Sequence, residues 1–383
     1  MRIGIEAQRI FRTKKHGMDM VALQLIKVLP EVAPEHEYVV FARPGEDSRV
    51  LDDISGLKVV TVGGLTYADW EQLWLPLAIA KHKIDVMHYT SNTASLFCPV
   101  PFVLTLHDVI FLENGTQSKL WYQRLGAIYR RWNVPAIVRK ASKVITVSSF
   151  ESVRILNHFP ELQGNVRVIY NAASNTFFSS PDNVDPKVQN LPETFLLFLG
   201  NTDPKKNTTN VIRAYARYRQ NYKGGLPLVI GDFPRQLVEK ILIEEGNGYL
   251  LEDIVSLGYL SQNTLSYLYR RATAFLYPSL RESFGIPIVE AMASRCPVIT
   301  SNVTSMPEIA EGAALEVNPE NVNEIARAMH RMETDGSLRE RLALAGSERA
   351  LDFDWRSSAR EYVRIYEEIS LSKILNKLFV QNL

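Results

Sequence analysis

Cysteine is scarce: Cys98 and Cys296 are the two thiols in 383 residues. They stand far apart in apolar surroundings. Neither a disulfide framework nor a cysteine metal site is expected, and both read as buried thiols of a reducing compartment. Net charge is nearly absent too. Lys and Arg number 43 against 42 Asp and Glu, leaving +1, which removes the global electrostatic case for a nucleic-acid binder. No run of about eighteen apolar residues occurs, so no membrane-spanning helix is expected. The opening MRIGIEAQRI lacks the charged stretch and apolar core of a secretory leader and reads as a first β-strand. The expected location is cytoplasmic. Internal repeats and low-complexity tracts are also missing.

What is present is apolar content, 46% of the chain, and a length suited to two domains. RIGIE (2–6), EYVVFA (37–42), KVVTV (58–62), DVMHY (85–89), FVLTLH (102–107), VITVS (144–148) and VRVIY (166–170) read as strands. Several are apolar almost throughout, as in a parallel sheet covered on both faces. Between the first two, MDMVALQLIKVLPEV puts Val21, Leu25, Ile26 and Leu29 on one helical face after a turn at Gly17. Residues 176–194 lose periodicity and fill with Pro, Asp, Asn and Ser, the mark of a linker. A second series follows: FLLFLG (195–200), PLVIG (227–231), IVSLG (254–258), AFLYP (274–278) and PVIT (297–300). The class is α/β, with two Rossmann-like doubly wound domains facing a central cleft, where the carboxyl ends of the strands would meet ligands.

The most informative stretch is RESFGIPIVEAMA, 281–293. Ser283 and Gly285 suit a tight loop, and Pro287 suits the first turn of a helix. The free N–H groups and positive end of that helix, around Phe284, Gly285 and Ile286, would face a phosphate. Glu282 lies in the loop and Glu290 about one turn into the helix, so both can face one ligand. Carboxylates accept from sugar and ribose hydroxyls, which suggests a sugar nucleotide. Two glutamates eight apart are commonplace by themselves; the words around them supply the specificity. In FLGNTDPKKN (198–207), Lys205 and Lys206 are read as opening a helix that ends near Tyr218. Cations are mildly unfavourable at a helix start, a mismatch that favours a bound anion over two solvated lysines. In FVLTLHDVIFLE (102–113), a strand delivers His107 and Asp108 at its carboxyl end.

SLRESFGIPIVEAMA followed by CPVITSNVTSMPEIAEGAALEVNP resembles the signature of retaining glycosyltransferase family 4. The resemblance covers most of the chain and is strongest over 270–318. It implies the GT-B fold: an acceptor-side domain over 1–178, a nucleotide-sugar domain over 193–355, and a helical segment, 356–383, crossing back to the first domain. It implies that Glu282 bonds the donor hexose and Glu290 the ribose, and that Lys206 contacts the donor phosphates. Lys205 stands where relatives commonly have Arg. His107 would lie beside the reacting sugar, and Asp108 would brace its loop or touch the acceptor. Gly258 and Tyr259, in IVSLGYL, match the segment whose backbone contacts the nucleobase. Gly17 matches one glycine of the family's phosphate loop, but Asp19 stands near the second and would repel a phosphate. Lys14, Lys15 and Arg9 could offset it, or the loop could read the acceptor.

The implied activity is metal-independent transfer of a hexosyl unit from a nucleotide sugar to a sugar or lipid-linked sugar in polysaccharide biosynthesis. GDP-mannose is the first choice of donor and UDP-sugars the next. No cofactor is expected. Asp352-Phe353-Asp354 spells a metal motif of another fold but lies far from any strand end. A sugar-nucleotide epimerase of the same fold, or a non-catalytic sugar-nucleotide-binding protein, are the alternatives. Residues 119–143 hold seven Lys or Arg and no Asp or Glu, with Trp121, Tyr122, Tyr129 and Trp132 interleaved. This pattern suggests either an anionic membrane surface, and so a peripheral place on its inner face, or a helix packing its aromatics inward with solvated charges.

Overall fold

A computed structural model describes residues 1–15, 17–113, 121–181, 184–222 and 224–381. The chain divides into two compact units, 1–171 with 355–383, and 172–354. The division at Ala172 falls ahead of the Pro- and Asn-rich stretch. Phe177 already belongs to the second unit, packing on Tyr269.

The first unit is built on a seven-stranded sheet: β1 (Arg2–Glu6), β2 (Glu37–Ala42), β3 (Leu57–Thr61), β4 (Val86–Tyr89), β5 (Phe102–Thr105), β6 (Lys143–Thr146) and β7 (Val166–Val168). The spatial order is β3-β2-β1-β4-β5-β6-β7, and every pairing is parallel. Strand order reverses between β1 and β4, so their carboxyl ends border the crevice where such sheets bind ligands. Helices cover the sheet, and the continuous apolar character of β2, β4 and β5 follows from burial on both faces.

The last helix, Trp355–Gln381, belongs to this unit and packs on the helix Met18–Val32. It is anchored at a buried histidine. His88 Nδ1 meets the Tyr366 hydroxyl at 2.7 Å, and Nε2 meets Thr105 Oγ1 at 2.7 Å. Burial pushes His88 down to about 3, so the ring is neutral at any working pH. Farther along, His36 Nε2 lies 3.1 Å from Glu367 and 3.9 Å from Glu35. This trio is the one group among the described residues whose ligand atoms could gather round a metal. With Nε2 already on Glu367, it reads as a hydrogen bond tying the last helix to the turn before β2.

The second unit carries β8 (Leu196–Leu199), β9 (Leu228–Gly231), β10 (Ile254–Ser256), β11 (Ala274–Tyr277), β12 (Val298–Ser301) and β13 (Leu315–Val317). The order is β10-β9-β8-β11-β12-β13, again all parallel. Here the reversal lies between β8 and β11. The short β13 is a strand the sequence pattern did not suggest. Cys296 is buried, but Cys98 is only half-buried, with its thiol on the Val100 carbonyl. No helix among the described residues is long and apolar enough to cross a membrane. Of the basic aromatic stretch 119–143, residues 119 and 120 and the side chains of Trp121 and Tyr122 lie outside the described part, and Tyr129 points inward, bonded to Glu71 and Gln72.

Candidate active site

The second unit gathers its chemistry at the strand-order reversal. β8 ends at Leu199, and at Gly200 beyond it a Cβ would lie 2.5 Å from Cβ of Phe233; only glycine fits. The chain then turns through Asn201–Asp203, and Asp203 caps a single 3-10 turn, Pro204–Lys206. The two lysines therefore precede the helix rather than opening it. Asn207 intervenes in the left-handed region at φ 60°, and the helix runs Thr208–Asn221. Asn207 Nδ2 bonds the carbonyls of Pro278 (2.8 Å) and Pro319 (2.7 Å), and Leu280 N bonds Lys205 O at 2.7 Å. These bonds staple the lysine turn to the segment leaving β11.

That staple places Lys206 Nζ 2.8 Å from Glu282 Oε1 and 2.8 Å from the Tyr277 hydroxyl. Burial raises the Glu282 carboxyl. The charges of Lys206 and Lys205, with hydrogen bonds from Lys206 and Ser279, outweigh it and hold the group below its ordinary value. Glu282 is thus an ionised acceptor at neutral pH. An ammonium has three N–H donors, so with two placed, Lys206 keeps one for an anion.

The loop past Glu282 is held by Ser305, whose hydroxyl bonds the carbonyls of Glu282 (3.1 Å) and Phe284 (3.2 Å). Phe284 is buried against Phe353, the two rings edge to face at 5.5 Å. The middle residue of Asp352-Phe353-Asp354 is therefore a packing residue under the loop. Gly285 caps the helix Ile286–Ala293 at φ 97°, a region open to glycine. No side chain caps this end; Pro287 carries no N–H and Ile288 N is bonded to Gly285 O, which leaves the Ile286 N–H for a ligand. Glu290 is half-buried on the same helix. Burial pushes its carboxyl up to about 8, against a lesser pull from the Tyr269 hydroxyl. Both glutamates bear on Tyr277, whose phenol is held well above its usual range by burial and then by their charges. Just past β10, Gly258 O accepts the Asp232 N–H, and Tyr259 beside it is 43% exposed.

The first unit has its own cluster at the β1/β4 reversal. Glu6 is fully buried at the end of β1. It accepts from Gln8 N at 2.8 Å and Thr90 N at 3.3 Å, and burial raises it. Thr90 O in turn faces His107 Nε2 at 2.9 Å, and Asn92 Oδ1 accepts His107 N at 2.6 Å. A carbonyl only accepts, so Nε2 carries the proton and Nδ1 is the acceptor. Burial holds His107 below its ordinary value, keeping it neutral. Asp108 braces the same loop, accepting Ile110 N at 3.1 Å. Arg9 does not stand free near Gly17: its Nε pairs with Asp19 Oδ1 at 2.9 Å. Lys15 is drawn away to Asp47. The acidic residue in this loop is thus neutralised by Arg9, and Gly17 caps the helix Met18–Val32.

The sequence reading missed Glu6, Thr90, Tyr277 and Asn207. Glu6 and Thr90 close the two strands that flank the reversal, and that position is the signal for them. It also missed Glu71, buried in a π-helix (Trp70–Trp74) and bonded by Thr93 and Tyr129, each at 2.6 Å. Burial pushes it up to about 7.

Two family models divide the chain. Residues 16–174 match the one described as Glycosyltransferase Family 4, and residues 180–349 the one described as Glycosyl transferases group 1. Among relatives, the O-antigen chain mannosyltransferase B of Escherichia coli is 30% identical over 59% of this chain and 61% of its own length. The serotype-specific mannosyltransferase WbdA of Escherichia coli is 27% identical over 71% of this chain and 34% of its own. The matched stretch thus spans under two thirds of the first relative and about a third of the second. The sucrose-phosphate synthase of Thermosynechococcus elongatus superposes with a TM-score of 0.75 at 21% identity, over 97% of this chain and 99% of that one, a likeness of fold. With both halves matched and two Rossmann-like units in the fold, the chain belongs to the GT-B glycosyltransferases of the family 4 type.

Proposed function

We propose that the protein is a retaining hexosyltransferase that moves mannose from GDP-mannose to a sugar or lipid-linked sugar in polysaccharide biosynthesis. The observation that carries this reading is the Lys206–Glu282–Tyr277 cluster, set beside an uncapped helix start at the strand-order reversal of the second unit. It pairs an ionised sugar-hydroxyl acceptor with a cation and the positive end of a helix, the two things a nucleotide diphosphate sugar presents partners for. Glu282 bonds the donor hexose and Glu290 the ribose. Ser283, Phe284, Gly285 and Ile286 bring main-chain N–H groups to the diphosphate. Lys206, with Lys205 nearby, stabilises the charge that develops as the diphosphate leaves, so that no divalent cation is required. Gly258 and Tyr259 hold the base. His107, Asp108, Gly17 and Arg9 serve the acceptor side, with His107 Nδ1 offered to a sugar hydroxyl. The acceptor proton passes to the leaving phosphate oxygen, which needs no enzymic nucleophile. The mannosyltransferase names of the sequence relatives support mannose over glucose; a UDP-sugar is the second choice.

The test is incubation with GDP-mannose and EDTA, with and without a panel of mannosides, followed by proton NMR of the anomeric signals. GDP release that depends on acceptor, with the donor's anomeric configuration kept, is the expected result. Sugar turnover without acceptor would point to the epimerase instead.

A further inference from the structure

In the first unit, the chain leaves β4 at Tyr89 and turns sharply over 90–93. Thr93 N bonds Ser91 O at 2.6 Å across Asn92, whose φ is 55°. A bond from one residue to the second before it, over a positive central φ, makes the strained form of the γ-turn, which is rare. Asparagine enters that region more readily than most side chains, but glycine is the residue at ease there. The turn is therefore held from outside, and two buried carboxylates hold its ends. Glu6 Oε2 accepts Thr90 N at 3.3 Å, and Glu6 O accepts the Thr90 hydroxyl at 2.8 Å. Glu71 Oε1 accepts the Thr93 hydroxyl at 2.6 Å.

The tip of the turn meets the exit of the neighbouring strand, β5. Asn92 is 3% exposed, so its amide must find its partners inside the protein. Its N–H bonds Thr105 O at 3.2 Å. Its Oδ1 accepts His107 N at 2.6 Å, and its Nδ2 donates to Asp108 Oδ2 at 3.4 Å. Thr90 O, at the start of the turn, accepts the His107 Nε2 proton at 2.9 Å. One turn thus grips His107 by its main chain and by its ring, and braces the carboxylate that follows. Backbone strain persists where the surroundings over-determine it, and it gathers where a side chain must be held in place.

We infer that Asn92 is a positioning residue: the turn it centres fixes the main chain and the tautomer of His107, so that the Nδ1 acceptor is presented in one orientation. Asn92 acts through His107 and needs no contact with substrate. An apolar residue could fill the same space, but only a side chain with both a donor and an acceptor satisfies His107 N and Asp108 Oδ2 together. The use made of Nδ1 rests on the proposed function; the fixing of the ring does not.

The experiment compares the full chain with Asn92→Gly and Asn92→Asp. Glycine adopts a φ of 55° without strain, so the first variant keeps the turn and loses only the amide. Its kcat for transfer from GDP-mannose should fall about a hundredfold, with the donor KM and the GDP thermal shift unchanged. Asn92→Asp keeps an oxygen for His107 N and should transfer about tenfold faster than Asn92→Gly. Its gap to wild type should narrow as pH falls, because a protonated carboxyl regains a donor toward Asp108. Imidazole nitrogen NMR reads the same claim without turnover. Wild type and Asn92→Asp should hold the His107 proton on Nε2, and Asn92→Gly should show both tautomers. Near-normal kcat in Asn92→Gly, an Asn92→Asp no faster than it, or one unchanged tautomer in all three overturns the inference. A ring fixed in wild type and released in Asn92→Gly, with no transfer from any nucleotide sugar, would leave the positioning standing and remove the transferase reading.

Discussion

Lys206 and Glu282 stabilise each other in a way that makes each a poor residue to lose. Glu282→Ala leaves an ammonium beside Tyr277 without its carboxylate and takes away the proposed hydrogen-bond acceptor for the donor hexose. The account predicts a fall in transfer of about two to three orders of magnitude, with the far-UV circular dichroism of the folded chain retained; near-normal turnover would remove Glu282 from the mechanism. Glu290 behaves oppositely with pH. Its folded value of about 8 lies above its ordinary 4.5, so the folded state holds the proton more tightly. The stability this contributes is complete below 4.5, declines as pH rises, and is gone above 8. Glu290→Gln removes the group, so urea unfolding of variant and wild type should diverge across that window. The wild type should lose up to about 1.4 kcal/mol per pH unit relative to the variant. Parallel profiles would mean that the carboxyl is ordinary. These two glutamates were legible from the sequence because the words around them are specific. Tyr277 was not, since nothing in AFLYP separates a core tyrosine from one whose hydroxyl meets Lys206.

Each element of the site owes its place to a local rule. The helix Ile286–Ala293 begins where it does because Gly285 accepts φ 97° and Pro287 tolerates the first turn. In Gly285→Ala, the new Cβ would sit 3.1 Å from Ile288 Cδ1 in a strained backbone region. A loss of about 1–2 kcal/mol in stability is expected, together with a weaker nucleotide shift, because the N–H groups of the helix start move. An unchanged shift would show that the helix start does not touch the nucleotide. The last helix depends on His88: His88→Ala opens a cavity on β4 and orphans the Tyr366 hydroxyl. Urea unfolding should show a cost of about 2–4 kcal/mol, and a cost within about 0.5 kcal/mol would mean the anchor is dispensable. Strands and the helix Met18–Val32 could be read from period and burial. The lysine turn could not: a 3-10 turn closed by a left-handed Asn207 depends on the carbonyls of Pro278 and Pro319, which are distant in sequence. The three-residue β13 fails for a simpler reason, being too short to show a period.

At the scale of the whole chain, two parallel sheets each reverse strand order once, and each reversal collects titratable groups: buried Glu6 and His107 in one unit, buried Glu282 with half-buried Lys206 in the other. Alternating strands and helices made this architecture legible. Which carboxylates it would bury was legible only where a family motif marked them, because Glu6 and Glu71 carry no local signature. Binding and transfer are expected to proceed in EDTA, since helix N–H groups and Lys206 take the place of a cation. The most direct measurement is thermal shift of the intact protein in EDTA against GDP, UDP, ADP and their common sugars. A nucleotide at about a hundred times its Kd adds about 2.7 kcal/mol, enough for a shift of several degrees. The account predicts a clear rise with GDP and GDP-mannose and little with ADP. No rise with any nucleotide would contradict the assignment of Lys206, Glu282 and the helix start as a nucleotide-sugar site.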